Sequence, residues 1–177
     1  MKLIAIAVLT TIFVIPSGTL GQTRKRSTSS SKTSSSATTA AAQRQAQVRT
    51  AGATKVADQI KLLTTFTYLL GGINSGIAQA DEAIRRNEAS PAVVQNNQQS
   101  KARVKSSIQG FREGLDKLEI EFRATPELQP YYIKLAGVAA GAATAEEQAA
   151  ANQFDPAGRS LLKVIGRLTD VLLIMRS

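Results

Sequence analysis

The chain has no cysteine and no histidine. Zinc and copper sites of the usual kind therefore lose their ligands, and a nucleophile–base pair built on imidazole cannot be assembled. A di-metal carboxylate bundle would need Glu-x-x-His motifs, and none exists. Without thiols there is no disulfide framework and no lipid-attachment cysteine, so any fold is held by its core alone. No phosphate-loop glycine pattern and no calcium-loop spacing occurs. No Asn-X-Ser/Thr acceptor occurs either, and together with the missing disulfides this points to a bacterial envelope. Carboxylates are the remaining acid–base groups. Glu113, Asp116, Glu119 and Glu121 alternate with Arg112, Lys117 and Arg123. Glu113 with Lys117, and Glu119 with Arg123, stand four residues apart, as on a solvated, salt-bridged helix face. Glu146 and Glu147 read as the exposed face of an Ala-rich helix. These features give no catalytic residue, no cofactor and no metal ligand, and the chain is not expected to be an enzyme.

Long apolar runs are also lacking. The one at the N-terminus, Leu3 to Ile15, follows Lys2 and precedes Pro16-Ser17-Gly18-Thr19-Leu20-Gly21. About 13 residues span about 20 Å as a helix, short of the roughly 20 residues a bilayer requires. A positive start, a short apolar stretch, a helix breaker and small residues make a secretory signal peptide over residues 1–21, with cleavage before Gln22. About 156 residues remain, enough for one domain with its own core. The expected location is periplasmic or extracellular.

Acid is absent from Gln22 to Thr50, which carries Arg24, Lys25, Arg26, Lys32, Arg44 and Arg49. The remaining 15 basic residues after Thr50 nearly balance all 13 acids, so most of the +9 charge sits in the leader. Residues 22–42, rich in Ser, Thr and Ala, bury too little to offset their ordering entropy and read as a disordered basic linker. Those six cations are the candidate contacts for an anionic envelope polymer or lipid headgroups. Nucleic acid is a poor fit, because its binders carry their charge on the folded surface.

From Gln43 the apolar positions Val56, Ile60, Leu63, Phe66, Leu70, Ile73, Ile77, Ala80 and Ile84 recur every three or four residues. The phase is not reset at Gly71-Gly72, which predicts one helix over about 43–88, kinked or broken at that pair. Ser90-Pro91 is a cap followed by a first-turn proline. The second helix carries Val104, Ile108, Phe111, Leu115, Leu118 and Phe122, spaced 4-3-4-3-4 as a coiled-coil seam. Its opening QNNQQ has little to bury and should project beyond the core. Thr125-Pro126 and Asp155-Pro156 repeat the cap-then-Pro device, predicting a third helix up to about Ala151 and a fourth over about 157–176. The fourth is apolar on more than one face and should be the most buried. The fold class is all-α: an up-down bundle of about four helices over residues 43–177.

Gly110 and Gly114 mirror Gly141 and Gly137 about Thr125-Pro126, which predicts a close crossing of the second and third helices at these four glycines. Of Tyr131 and Tyr132, one should pack and the other lie at the surface. Arg85-Arg86 with Lys101, Arg103 and Lys105 would make a positive end to the first hairpin. The functional expectation is an exported, non-enzymatic helical module that binds a protein partner or self-associates. The alternatives are an electrostatic tether acting through the leader and a carrier of a small apolar ligand within the bundle.

Overall fold

A computed structural model describes residues 33–177. The expected signal peptide, and Arg24, Lys25, Arg26 and Lys32 of the leader, lie outside the described residues. Among those described, the chain is helical without strands: α1 (Thr33–Arg85), α2 (Pro91–Ala124), α3 (Gln129–Leu135), α4 (Val138–Ala150) and α5 (Phe154–Arg176). Four rods form a ring in which α1 packs on α2 and α5, and α4 packs on α2 and α5. The short α3 closes against α2 and α5.

α1 has 53 residues, about 80 Å at 1.5 Å per residue. It runs unbroken through Gly71-Gly72 and starts at Thr33, ten positions before the expected Gln43. Residues 33–42 include four alanines, and alanine is the strongest helix former; once a long helix is nucleated, adding turns is easy. Val56, Leu63, Leu70 and Ile77 are buried at intervals of seven, the repeat of a supercoiled seam. Val104, Ile108, Leu115, Leu118 and Phe122 of α2 are buried in the same core. Phe66 and Phe111 meet edge to face at 5.0 Å between ring centres, a geometry that places a ring edge on a π face.

The caps differ from the sequence reading. Ser90 does cap α2, its hydroxyl accepting from Val93 N at 3.4 Å, with Pro91 in the first turn. Thr125, however, ends α2, and α3 begins at Gln129 with Pro130 in its first turn. α5 begins at Phe154, so Asp155 and Pro156 lie inside its first turn. Proline is tolerated there because first-turn N–H groups have no intrahelical partner.

The expected third helix is two helices. Gly137 has φ +88° and stands between Leu135 and Val138. The break leaves helix-end groups open, and two charged side chains reach them, although the Gly137 carbonyl also accepts from Gly141 N at 3.1 Å. Arg167 donates to the carbonyls of Ala136 at 2.8 Å and Gly137 at 3.1 Å. The Glu119 carboxylate accepts from Ala139 N at 2.7 Å. Both charges have the sign that the helix dipoles favour at those ends.

Further expectations are corrected. α5 carries more buried residues than any other described helix, as expected, but on one face only: Leu161, Val164, Leu168, Val171 and Met175 are buried, while Leu162 and Leu173 are 54% and 64% exposed. Both Tyr131 and Tyr132 are half-buried against the core, because α3 lies across two helices. Glu119 binds the α4 backbone and not Arg123, and Glu146 pairs with Arg112 at 2.5 Å.

Candidate functional site: the outer end of the first hairpin

Two contacts fix where the second helix pair ends against the first. Asn74 of α1 donates to Asp155 at the start of α5 at 2.8 Å. Lys105 of α2 donates to the carbonyl of Ala150 at the end of α4 at 3.1 Å. Beyond these points α1 continues to Arg85, and α2 has come from Pro91. The α1–α2 hairpin therefore runs about 15–20 Å past α4 and α5. The QNNQQ stretch of α2 lies on this projecting arm.

The seam of α2 continues into the arm in polar form. One heptad before Val104 stands Asn97, and one before Ile108 stands Lys101. Asn97 is 6% exposed. Its amide nitrogen donates to Asp81 Oδ1 at 2.6 Å, and Lys101 Nζ donates to the same oxygen at 2.6 Å. Burial pushes the Asp81 carboxyl up. The hydrogen bonds from Lys101 and Asn97, with the charges of Lys101 and Arg85, outweigh it and hold the group below its ordinary value. The Asn97 carbonyl oxygen is buried without a hydrogen-bond partner. Such an orphan costs stability, and a buried Asn in a helical seam is a known device for fixing register at that cost.

Beside this polar lock lies a groove of about 350 Å³ between the two helices, lined by Ile73, Gly76, Ile77, Ala80, Val93, Asn96, Asn97 and Ser100. Ile73 and Val93 are each 38% exposed on its walls. Leu62 and Leu69, at 54% and 53%, lie further along α1. The arrangement offers apolar and small side chains flanked by neutral amides, a surface suited to another helix.

The expected positive end is partly neutralised, with Arg103 and Lys105 outside any ion pair among the described residues. Arg85 and Arg86 both pair with Glu82, the latter at 2.9 Å, and Lys101 pairs with Asp81. Of the leader cations, Arg44 and Arg49 are exposed on α1. Arg49 lines a cleft of about 200 Å³ with Ala42, Glu127 and Tyr131 at the opposite end of the bundle.

The four mirrored glycines do not meet. Added Cβ atoms would find nothing within 4 Å at Gly110, Gln59 of α1 at Gly114, Arg167 of α5 at Gly137, and Val164 of α5 at Gly141. The residues at 125–128 and the turn at Gly137 break the helical register on which the mirror depended. The close approaches are instead Gly141 on Val164 at 2.8 Å and Gly52 on Leu128 at 2.9 Å. Sequence reasoning missed Asp81, Asn97 and the seam role of Lys101. Extending the α2 seam back by one heptad would have found the last two.

Among the described residues, no group of three or more acidic side chains could hold a metal ion, and no helix is long and apolar enough to cross a membrane. Compared with known proteins, the chain matches no family model, no curated protein and no solved structure.

Proposed function

We propose that the chain is an exported, non-enzymatic helical module of the bacterial cell envelope that works by binding protein through the α1–α2 arm. The observation that carries this reading is the groove between Ile73 and Val93 on a hairpin that outruns the rest of the bundle. A projecting two-helix arm with apolar residues left open resembles half of a four-helix layer, and a third helix would complete its packing. The orphaned Asn97 carbonyl adds support, because keeping a costly buried amide in a seam makes sense where alignment matters more than stability.

The test is capture from the producing cell's envelope fraction with the purified chain and with the Ile73→Asp/Val93→Asp double variant. Both positions are partly exposed, so the variant keeps its helicity by circular dichroism. A defined partner retained by the parent chain and lost by the variant supports the reading. An identical set of captured proteins, or none, overturns it.

A further inference from the structure

The solvent face of α1 carries a second heptad seam, opposite the one that forms the core. Asp58, Lys61, Thr65, Tyr68, Gly72, Ser75, Gln79, Glu82 and Arg86 follow one another at spacings of three and four. The first eight lie on α1 and Arg86 in the turn just beyond it. Every one is exposed except Glu82, which is partly so. Tyr68 stands out at 84% exposure, a large aromatic ring held in water on a rigid helix. At the middle, added Cβ atoms on Gly71, Gly72 and Gly76 would meet nothing within 4 Å.

The seam is self-complementary when reversed about Gly72. Asp58 and Arg86 stand fourteen positions on either side of it, Lys61 and Glu82 eleven and ten, and Thr65 and Gln79 seven, while Tyr68, four before it, falls opposite Gly76, which lies beside Ser75 of the seam. Each acid thus faces a base, and the one protruding ring faces a glycine with open space above it. A two-fold interface requires this property, since residue i must suit residue j and j must suit i. An unrelated partner imposes no such constraint. Glycines at the centre also let two helix axes approach closely.

We infer that this face binds a second copy of the chain. The two α1 helices run antiparallel, with the two-fold axis at Gly72 and each Tyr68 seated over the other copy's Gly76. The contact extends over about 40 Å of helix. It rests on reading the chain as an association module and names the occupant of a face that borders the Ile73–Val93 groove at Gly76. In the single copy the end charges are paired locally, Asp58 with Lys61 at 3.8 Å and Glu82 with Arg85 and, at 2.9 Å, with Arg86. Such exposed pairs contribute little, so exchanging them for pairs between copies costs little.

The chain has no cysteine, so single thiols report position cleanly. Gly72→Cys is expected to give an oxidised dimer of twice the mass of the parent chain. Gly166→Cys, equally open but on α5, stays largely monomeric under the same oxidant. By light scattering over a concentration series, Lys61→Glu and Glu82→Lys each shift the parent chain's monomer–dimer equilibrium toward monomer, and combining the two restores it. A parent chain that stays monomeric throughout overturns the inference, as does Gly72→Cys cross-linking no better than Gly166→Cys. So does a combined charge swap that fails to restore association. None of these outcomes touches the groove reading, which stands or falls with the Ile73→Asp/Val93→Asp capture experiment.

Discussion

Arg167 of α5 donates through its guanidinium to the carbonyl oxygen of Gly137 at 3.1 Å, across the only left-handed glycine among the described residues. The same side chain holds the carbonyl of Ala136 at 2.8 Å. The break between α3 and α4 is thus fastened from a helix that arrives thirty residues later.

Gly137→Ala should accordingly lower stability by about 1–2 kcal/mol, the cost of a Cβ in the left-handed region. The new methyl group would also come within 3.3 Å of Arg167 Nη1. Gly110→Ala should act in the opposite direction. Gly110 is helical with open space around it, and alanine in an exposed helix interior is favoured by up to about 1 kcal/mol. Thermal denaturation followed by circular dichroism separates the two. If both variants melt below the parent chain, Gly110 has a packing role that its surroundings do not provide.

Gly141 gives a prediction with an internal control. Its Cβ would sit 2.8 Å from the Val164 Cγ2 methyl, in the contact between α4 and α5. Overpacking of this kind typically costs about 1–3 kcal/mol, so Gly141→Ala should lower the urea midpoint. Val164→Ala opens a small cavity and should also lower it. The two together should lose less than the sum of the single losses, because each relieves the other. Strict additivity in a double-mutant cycle would show that the contact does not limit packing there.

These glycines show why part of the molecule is legible in the sequence and part is not. Apolar spacing gives α1 and α2 with most of their core residues, because a helix buries most of what recurs on one face: Val56, Leu63, Leu70 and Ile77 are buried, while Ile73 of the same series stays 38% exposed. Spacing does not say what a glycine is for. Gly137 forms a turn, Gly141 lets α5 approach, and Gly110 does neither, yet all three look alike in a Gly-x-x-x-Gly pattern. Proline is ambiguous in a similar way: Pro126 and Pro156 mark the neighbourhood of a boundary without fixing which residue caps it. The Asp81–Asn97–Lys101 cluster joins residues 16 and 20 positions apart across a turn. Only the polar character of two seam positions hints at it. The N-terminal extension of α1 was hidden by composition, since Ser, Thr and Ala are common both to linkers and to the overhanging end of a helix.

The fastening of α4 also depends on Glu119, whose carboxylate accepts from Ala139 N at 2.7 Å. It does the work of an N-cap from another helix, and removing a capping oxygen typically costs about 1 kcal/mol. Glu119→Ala should therefore lower the melting temperature, whereas Glu119→Gln, which keeps an acceptor, should lose less. Hydrogen exchange adds a local readout. The amides of Val138 and Ala139 should exchange faster in Glu119→Ala while those of α1 near Leu63 stay protected. Uniformly faster exchange would mean that Glu119 supports the whole bundle and not this helix end.

The arm should be sensitive to acid through Asp81. Its carboxyl is held below its ordinary value in the folded chain despite the opposing effect of burial, by Lys101 and Asn97. A group whose pKa is depressed on folding contributes stability above its unfolded value, near 3.9 for aspartate, and loses that contribution as pH falls through the folded value. Lowering the pH through about 4 and below should therefore loosen the end of the hairpin beyond Asn74. Exchange should quicken first at amides around Asp81 and Asn97. Asp81→Asn removes the titrating group, so that variant should be less protected there at neutral pH and should change less on acidification. The Asp81 side chain is 41% exposed, so the effect belongs to the arm and should be reduced by salt. If the parent chain and Asp81→Asn lose arm protection in parallel on acidification, the acid sensitivity comes from other carboxylates and the lock at Asn97 does not depend on charge.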